Sequence, residues 1–184
     1  MLIIRAAVDT DLSGVLALQA RVHRDNVDEL TASTEGFVSW RHDLETLRRF
    51  NSPVPHTVAV DRGNIVQAYA LSMDLAHANA MPEARSLIEK LAEQRYRGRV
   101  ITDYDYVCMG QVAIARPFRG RGVFTRLYAA WQARQAAVYE LAVTEIALAN
   151  GRSRAAHARE GWVTVGANVD ASGVDWIIVA KPLR

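Results

Sequence analysis

Arg116-Pro117-Phe118-Arg119-Gly120-Arg121-Gly122-Val123-Phe124-Thr125 is the stretch whose reading decides the fold. The β-rich run Tyr104–Ala115 leads into it. Beyond it Leu127, Tyr128 and Trp131 switch to helical spacing, with Phe124 on the same face. The segment is therefore a strand, a glycine turn and a helix. Its glycines let the backbone turn tightly and leave main-chain N–H groups open to an anion. A helix starting near Gly122 aims its unpaired N–H groups and the positive end of its dipole at the same spot. Arg116, Arg119, Arg121 and Arg126 add positive charge, and no acidic residue occurs from 116 to 139. A pyrophosphate is a natural occupant. A plain strand–turn–helix with a solvated basic face is the alternative.

Outward from the turn, Leu2–Val8 reads as a first strand. Asp9, Thr10 and Asp11 offer capping oxygens to a helix carrying Leu12, Val15, Leu16 and Gln19, weakened by Gly14. The three-or-four spacing of Phe37, Trp40, Leu44 and Leu47 predicts a second helix from about Thr34 to Phe50, closed by Pro53 and Pro55. His56–Val60 and Ile65–Leu71 form a hairpin around Asp61-Arg62-Gly63-Asn64. Ala84, Leu87, Ile88 and Leu91 mark an amphipathic helix. Thr144–Ala149 is a strand, Arg152–Arg159 a helix, and Trp162–Gly166 and Val174–Ala180 are two last strands. The order is β-α-α-β-β-(α)-β-α-β-α-β-β. It predicts an α/β fold with one curved mixed sheet of about seven strands flanked by helices, in a single domain over 1–184.

The chain has 184 residues, half of them hydrophobic and 23% charged, which suits a globular domain with a sizeable core. A net charge of +2 argues against a general nucleic-acid binder. The single cysteine, Cys108, has no internal partner. Its place inside a strand, with no base nearby in sequence, favours a small buried hydrophobe over an acyl-carrying nucleophile. The five histidines show no metal-ligand spacing, so no metal site is expected. The N-terminus lacks the layout of a signal peptide, and no apolar run approaches a membrane span. A cytoplasmic protein without membrane contact is the expectation.

The turn resembles the phosphate-binding signature of the GNAT acyltransferase superfamily, Arg/Gln-x-x-Gly-x-Gly/Ala. Arg119-Gly120-Arg121-Gly122-Val123-Phe124 matches it except at the last position, where Phe124 replaces a small residue. A second match lies downstream: Glu145 on a strand, Asn150 five residues on, Ser153 and His157 on a short helix, then Gly161-Trp162. His157 stands where the family usually has Tyr. The strand order agrees as well. The resemblance implies transfer of an acetyl group from acetyl-coenzyme A to an amine. The pantetheine arm would lie against Val112, Ala113 and Ile114 as an added strand. Arg119, Gly120, Arg121, Gly122, Val123, Phe124 and Thr125 would hold the pyrophosphate, with Asn150 and Ser153 touching the pantetheine from the other side. Asn150, just before a helix, is equally a capping residue.

Aminolysis of a thioester needs a neutral amine, a polarised carbonyl and a stabilised leaving thiolate. The resemblance makes Glu145 the base and His157 the proton donor, with backbone N–H groups near Ala113 or Ile114 polarising the carbonyl. Against these roles stand a strand-end carboxylate paired with an arginine and a structural histidine. Two other functions fit the same residues: a non-catalytic acyl-CoA-binding sensor or interaction module, and an RNA patch built on Arg116, Arg119, Arg121, Arg126, Arg152, Arg154 and Arg159. The near-neutral total charge speaks against the second. The acceptor, a small-molecule amine or a protein amine, would be met by Arg21–Phe50, Met73–Arg99 and Val165–Val174. Candidate lining residues there and on the central strand are Phe37, Trp40, Tyr104 and Tyr106, with Asp74, Asp103 and Asp105 to attract a cation. A homodimer stays open.

Overall fold

Side-chain alternation builds the sheet, and helices cover both faces of it. The computed structural model describes residues 1–52, 54–74 and 82–184. Along them run β1 (Ile3–Ala6), α1 (Leu12–Val22), α2 (Glu29–Glu35), α3 (Leu44–Phe50), β2 (Thr57–Val60) and β3 (Val66–Met73). Then come α4 (Pro82–Leu91), β4 (Arg95–Tyr96), β5 (Arg99–Val100), β6 (Tyr106–Ile114) and α5 (Val123–Gln135). β7 (Leu141–Ala147), α6 (Gly151–Arg159), β8 (Val163–Val169) and β9 (Asp175–Pro182) complete the order. Seven strands form one mixed sheet in the order β1-β2-β3-β6-β7-β9-β8, and β4 with β5 makes a separate hairpin. All neighbours are antiparallel except β6 and β7. The α/β architecture and strand order expected from the sequence are present.

Period-2 alternation splits the core into layers. From β6, Val107 and Met109 meet Leu127, Tyr128 and Trp131 of α5, while Tyr106 and Cys108 meet Ala84, Leu87 and Leu91 of α4. From β3, Ala68 and Ala70 face α5, and Tyr69 and Leu71 face Leu12, Val15 and Leu18 of α1. The alanines on the α5 face let that helix sit close enough to bury Trp131 completely, with its Nε1–H donating to Ser72 Oγ at 3.0 Å.

The expected helix over 34–50 is corrected. Within it α2 ends at Glu35, because Gly36 takes φ 77, and α3 starts only at Leu44, where the Asp43 carboxylate accepts the Thr46 N–H at 2.7 Å. The segment between them is not helical, so Phe37 and Trp40 keep helical spacing without a helix. The hairpin β4–β5, turned by Arg97 (φ 50) and Gly98 (φ 83), was not expected; two-residue strands carry no readable period. Pro53, expected to close a helix, lies outside the described residues, as does 75–81 of the expected acceptor region.

His56 sets an acid limit on this fold. It is fully buried, its Nδ1 accepts the Ser72 N–H at 3.0 Å, and its Nε2–H donates to the Leu47 carbonyl at 3.2 Å. Burial holds its pKa at about 4, below the ordinary 6.5. The folded pKa is depressed, so the neutral ring favours the fold above pH 6.5 and that contribution fades as pH falls towards 4. Denaturant titrations should show His56→Gln losing about one proton's worth of slope across this window, roughly 1.4 kcal/mol per pH unit, relative to the parent. An unchanged slope difference would show that His56 does not titrate with unfolding.

Candidate active site

The site begins where β6 and β7 part. They pair only from Tyr106↔Leu141 to Cys108↔Val143, after which the Thr144 hydroxyl donates to the Met109 carbonyl at 2.8 Å and the ladder ends. β7 continues along β9 to Ala147, and β6 continues along β3 to Ile114. Around Gly110 the β3–β6 register shifts by one residue, a bulge that bends β6 away from β7. Beyond it Gly110–Ile114, about 16 Å of strand at ordinary rise, has no paired strand on the β7 side among the described residues.

Backbone phase decides which groups look into that split. The Ala115 N–H donates to the Gln67 carbonyl of the β3 side at 2.8 Å. Counting back by twos, Ala113 and Gln111 also turn their polar groups to β3, whereas Val112 and Ile114 turn theirs to the split. Of the three strand residues expected to meet a pantetheine arm, Val112 and Ile114 turn main-chain groups to the split, and Ala113 turns its own to β3. The Ile114 carbonyl, in turn, accepts Arg119 Nε at 2.8 Å, which leaves its N–H.

At the far end of the split, Gly120 and Gly122 both take φ 69, and nothing stands within 4 Å of where a Cβ would point at either. Gly122 caps α5 from the left-handed region, so the first N–H groups of that helix, at Val123, Phe124 and Thr125, have no intrahelical acceptor. The turn expected from the glycines is there, but its charges are rearranged. Glu35, at the end of α2, binds both Arg119 Nη1 (2.8 Å) and Arg116 Nε (3.0 Å). Glu160 accepts the Thr125 hydroxyl at 2.5 Å. The run free of acidic residues in sequence therefore meets two carboxylates in space. Arg121, Gly120 and Thr125 are exposed, and Arg119 is a half-buried brace.

The opposite wall comes from the end of α2 and the start of α6. Asn150 is buried, its Oδ1 accepts the Ser153 N–H at 3.1 Å, and its Nδ2 donates to the Phe37 carbonyl at 2.9 Å. It caps α6 and ties down the non-helical segment at once. Between the walls runs a groove of about 350 Å³ bordered by Val112, Ile114, Gly120, Gly122, Thr125 and Ser153. It joins a smaller chamber of about 80 Å³, and Phe37, Val38, Val112, Asn150 and Ser153 border both.

Glu145 and His157 border the chamber together. Burial pushes the Glu145 carboxyl up to about 7 against a hydrogen bond from Asn168 (3.2 Å), which favours the ionised form, and Asp170 raises it further. Asn168 also bonds Ser86 of α4 (2.8 Å), so β7, β8 and α4 jointly fix the carboxylate. Asn168 and Ser86 were not expected. The sequence pattern ends that strand at Gly166, short of Asn168, and nothing in the spacing of Ser86 points to a site. His157 is buried, and its ring meets Phe124, Tyr128 and Trp162 with centroids 5.4–6.0 Å apart. Its Nδ1 lies 2.9 Å from the Ser153 carbonyl, so the proton sits there and Nε2 keeps a lone pair. Burial depresses its pKa, and the Ser153 carbonyl works against that shift. Phe124 and His157, the two departures from the family pattern, touch each other.

Other expectations sort by position. Phe37 and Trp40 border the chamber. Tyr104 and Tyr106, with Asp103 and Asp105, belong to the opposite end of β6, where Tyr104 packs on Tyr96 and under Arg99. Cys108 is fully buried and burial raises its thiol to about 12, so it is a neutral packing group.

No protein-family model and no curated protein matches the sequence. Solved structures do match. The ribosomal-protein-S18-alanine N-acetyltransferase from Escherichia coli aligns over 100% of this chain and 94% of its own, at TM-score 0.64 and 14% identity. The NatC complex bound to Gag peptide and CoA aligns over 100% and 99%, at 0.66 and 14%. A GNAT superfamily phosphinothricin acetyltransferase from Sinorhizobium meliloti, solved with AcCoA, aligns over 98% and 88%, at 0.62 and 18%. The chain has the GNAT fold. Among the described residues of this GNAT-fold protein, no helix is long and apolar enough to cross a membrane.

Proposed function

We propose that this chain transfers an acetyl group from acetyl-CoA to an amine acceptor by direct attack on the thioester. The observation that carries the reading is the split between β6 and β7, with a phosphate-shaped turn at one end and a buried carboxyl near neutrality at the other. Acetyl-CoA fits that layout. The open space over Gly120 and Gly122 admits phosphate oxygens to the N-terminal N–H groups of α5, aided by exposed Arg121 and the helix dipole. The free edge at Val112 and Ile114 offers main-chain partners to pantetheine amides, and Ser153 borders them across the groove.

The cosubstrate supplies the activated acyl group; the chain's residues supply position and proton transfer. Val112 borders both groove and chamber, so its N–H polarises the carbonyl at their junction. Glu145, ionised above about pH 7, removes the proton that an attacking amine must lose, and that proton is the one a leaving thiol needs. His157 is read as a packing and aligning residue, since a neutral ring that donates from Nδ1 to Ser153 has no proton to give from Nε2. Glu35 takes the place of a solvated partner for Arg119 and Arg116, holding the α2 wall against the turn.

The test is binding and chemistry together. Acetyl-CoA at a hundredfold excess over its dissociation constant should stabilise the fold by about 2.7 kcal/mol, read as a rise in melting temperature. Amine-dependent release of free thiol should accompany it. A thermal shift without thiol release from any amine would favour the non-catalytic acyl-CoA-binding reading. No shift at millimolar acetyl-CoA would end both.

A further inference from the structure

The chamber beyond Val112 has a chemistry of its own. Its carboxylate, Glu145, shares the walls with Phe37, Trp40, Met73, Leu87 and Trp176. No Lys or Arg borders it among the described residues. Three of the polar side chains that border it are already engaged, while the Ser39 hydroxyl and His157 Nε2 stay open among the described residues. Gln111 donates to the Trp40 carbonyl and accepts from Gln19 and Tyr69. Thr144 is bonded to Met109, and Asn150 to Phe37 and Ser153. A carboxylate or phosphate carried into this space would be desolvated beside Glu145 with no cation to meet it. A peptide group would exchange water for at most the Ser39 hydroxyl and His157 Nε2 as partners of its C=O and N–H.

We infer that the acceptor is a small primary monoamine with an apolar substituent, an alkylamine or arylalkylamine, and not an amino acid or a peptide N-terminus. This rests on the acetyltransferase reading for its chemistry, but the recognition stands on the chamber alone. The ammonium pairs with Glu145 and the hydrocarbon packs among Trp40, Leu87 and Trp176. Specificity then comes largely from exclusion: the described walls offer no cation to an anion and few partners to an amide.

Three acceptors built on the 3-methylbutylamine skeleton test it: the amine itself, leucine with an added carboxylate, and leucinamide with an added carboxamide. Trp40 and Trp176 report occupancy through fluorescence of the full chain, with CoA present, and thiol release with acetyl-CoA reports turnover. The expected result is saturable quenching by 3-methylbutylamine, at least a hundredfold weaker for leucine and at least tenfold weaker for leucinamide. Values of kcat/KM should follow the same order. Trp40→Ala should weaken 3-methylbutylamine binding and leave the acetyl-CoA thermal shift unchanged. Leucine or leucinamide binding as well as the amine, or no saturable binding of 3-methylbutylamine, would overturn the inference. The amine binding in the expected order without thiol release would keep the recognition and sink the enzyme. Efficient turnover of leucinamide would keep the enzyme and sink the recognition.

Discussion

Glu145→Gln should lower turnover by about 10²–10⁴ and at the same time make the unliganded fold more stable above pH 7. The two effects have one cause. Burial raises the Glu145 carboxyl to about 7, so ionising it in the fold costs more than ionising it in the unfolded chain. The sign follows from proton binding. Between about pH 4.5 and 7 the folded carboxyl holds a proton that the unfolded one has lost, so stability falls as pH rises through that window. Above it the full penalty is present, on the order of 3 kcal/mol. Glutamine removes the charge, keeps an oxygen for Asn168 to donate to, and escapes the penalty. Below about pH 4.5 the two proteins should differ little. The kinetic side is as specific: the acid limb of kcat/KM near pH 7 should vanish, leaving a rate that climbs with deprotonation of the amine itself. The measurements are thiol release across pH 5–9 and denaturant unfolding at pH 4.5 and 8. Turnover within threefold of the parent would remove Glu145 from the chemistry. Lost turnover with lost stability would mark it as a structural carboxylate instead. His56 opposes Glu145 over part of the same pH range, so the comparison is made between variant and parent, not along one curve.

The sequence disclosed what is local and hid what is contributed from a distance. The glycine turn, its helix and the strand before it were legible because period and turn chemistry coincide within twenty residues. Asn150 was legible as a cap because capping is a three-residue affair, and it caps. Glu145 could be placed on a strand by spacing. Its raised pKa could not be read, because that depends on burial in a chamber walled also by Trp176 of β9 and Leu87 of α4, and on Asp170, against the Asn168 hydrogen bond. The basic character of the turn was overread for the same reason: Glu35 lies 84 residues from Arg119 in the chain. Helical spacing misled at Phe37 and Trp40, where Gly36 and Asp43 override it and free the segment to wall the site. For His157, spacing gave the helix position but not the surroundings: Nδ1 faces the Ser153 carbonyl and the ring meets Phe124, Tyr128 and Trp162, all but Ser153 brought from other elements.

Gly122→Glu should abolish acetyl-CoA binding, a loss of more than about a hundredfold in affinity, while Gly122→Asn retains most of it. Both substitutions put a Cβ on a residue at φ 69, where nothing lies within 4 Å, so neither meets a clash and both bear the left-handed backbone. Asparagine tolerates that region; glutamate bears a strain of roughly 1–2 kcal/mol. A fold of this size should survive that. What separates them is charge. Gly122 is the cap of α5, and the N–H groups of Val123, Phe124 and Thr125 behind it are the anion donors of the site. A carboxylate at this position repels the pyrophosphate and is itself attracted to those donors, so it competes as well as blocks. Asparagine is neutral and shorter. Thermal shift measures the effect: the parent and Gly122→Asn should gain melting temperature with acetyl-CoA, and Gly122→Glu should gain none. Without ligand, the melting temperature of Gly122→Glu should stay close to that of Gly122→Asn, with the carboxylate on the helix dipole offsetting part of its strain. A Gly122→Glu protein that binds acetyl-CoA as tightly as the parent would place the phosphates elsewhere, and with them the whole direction of the groove.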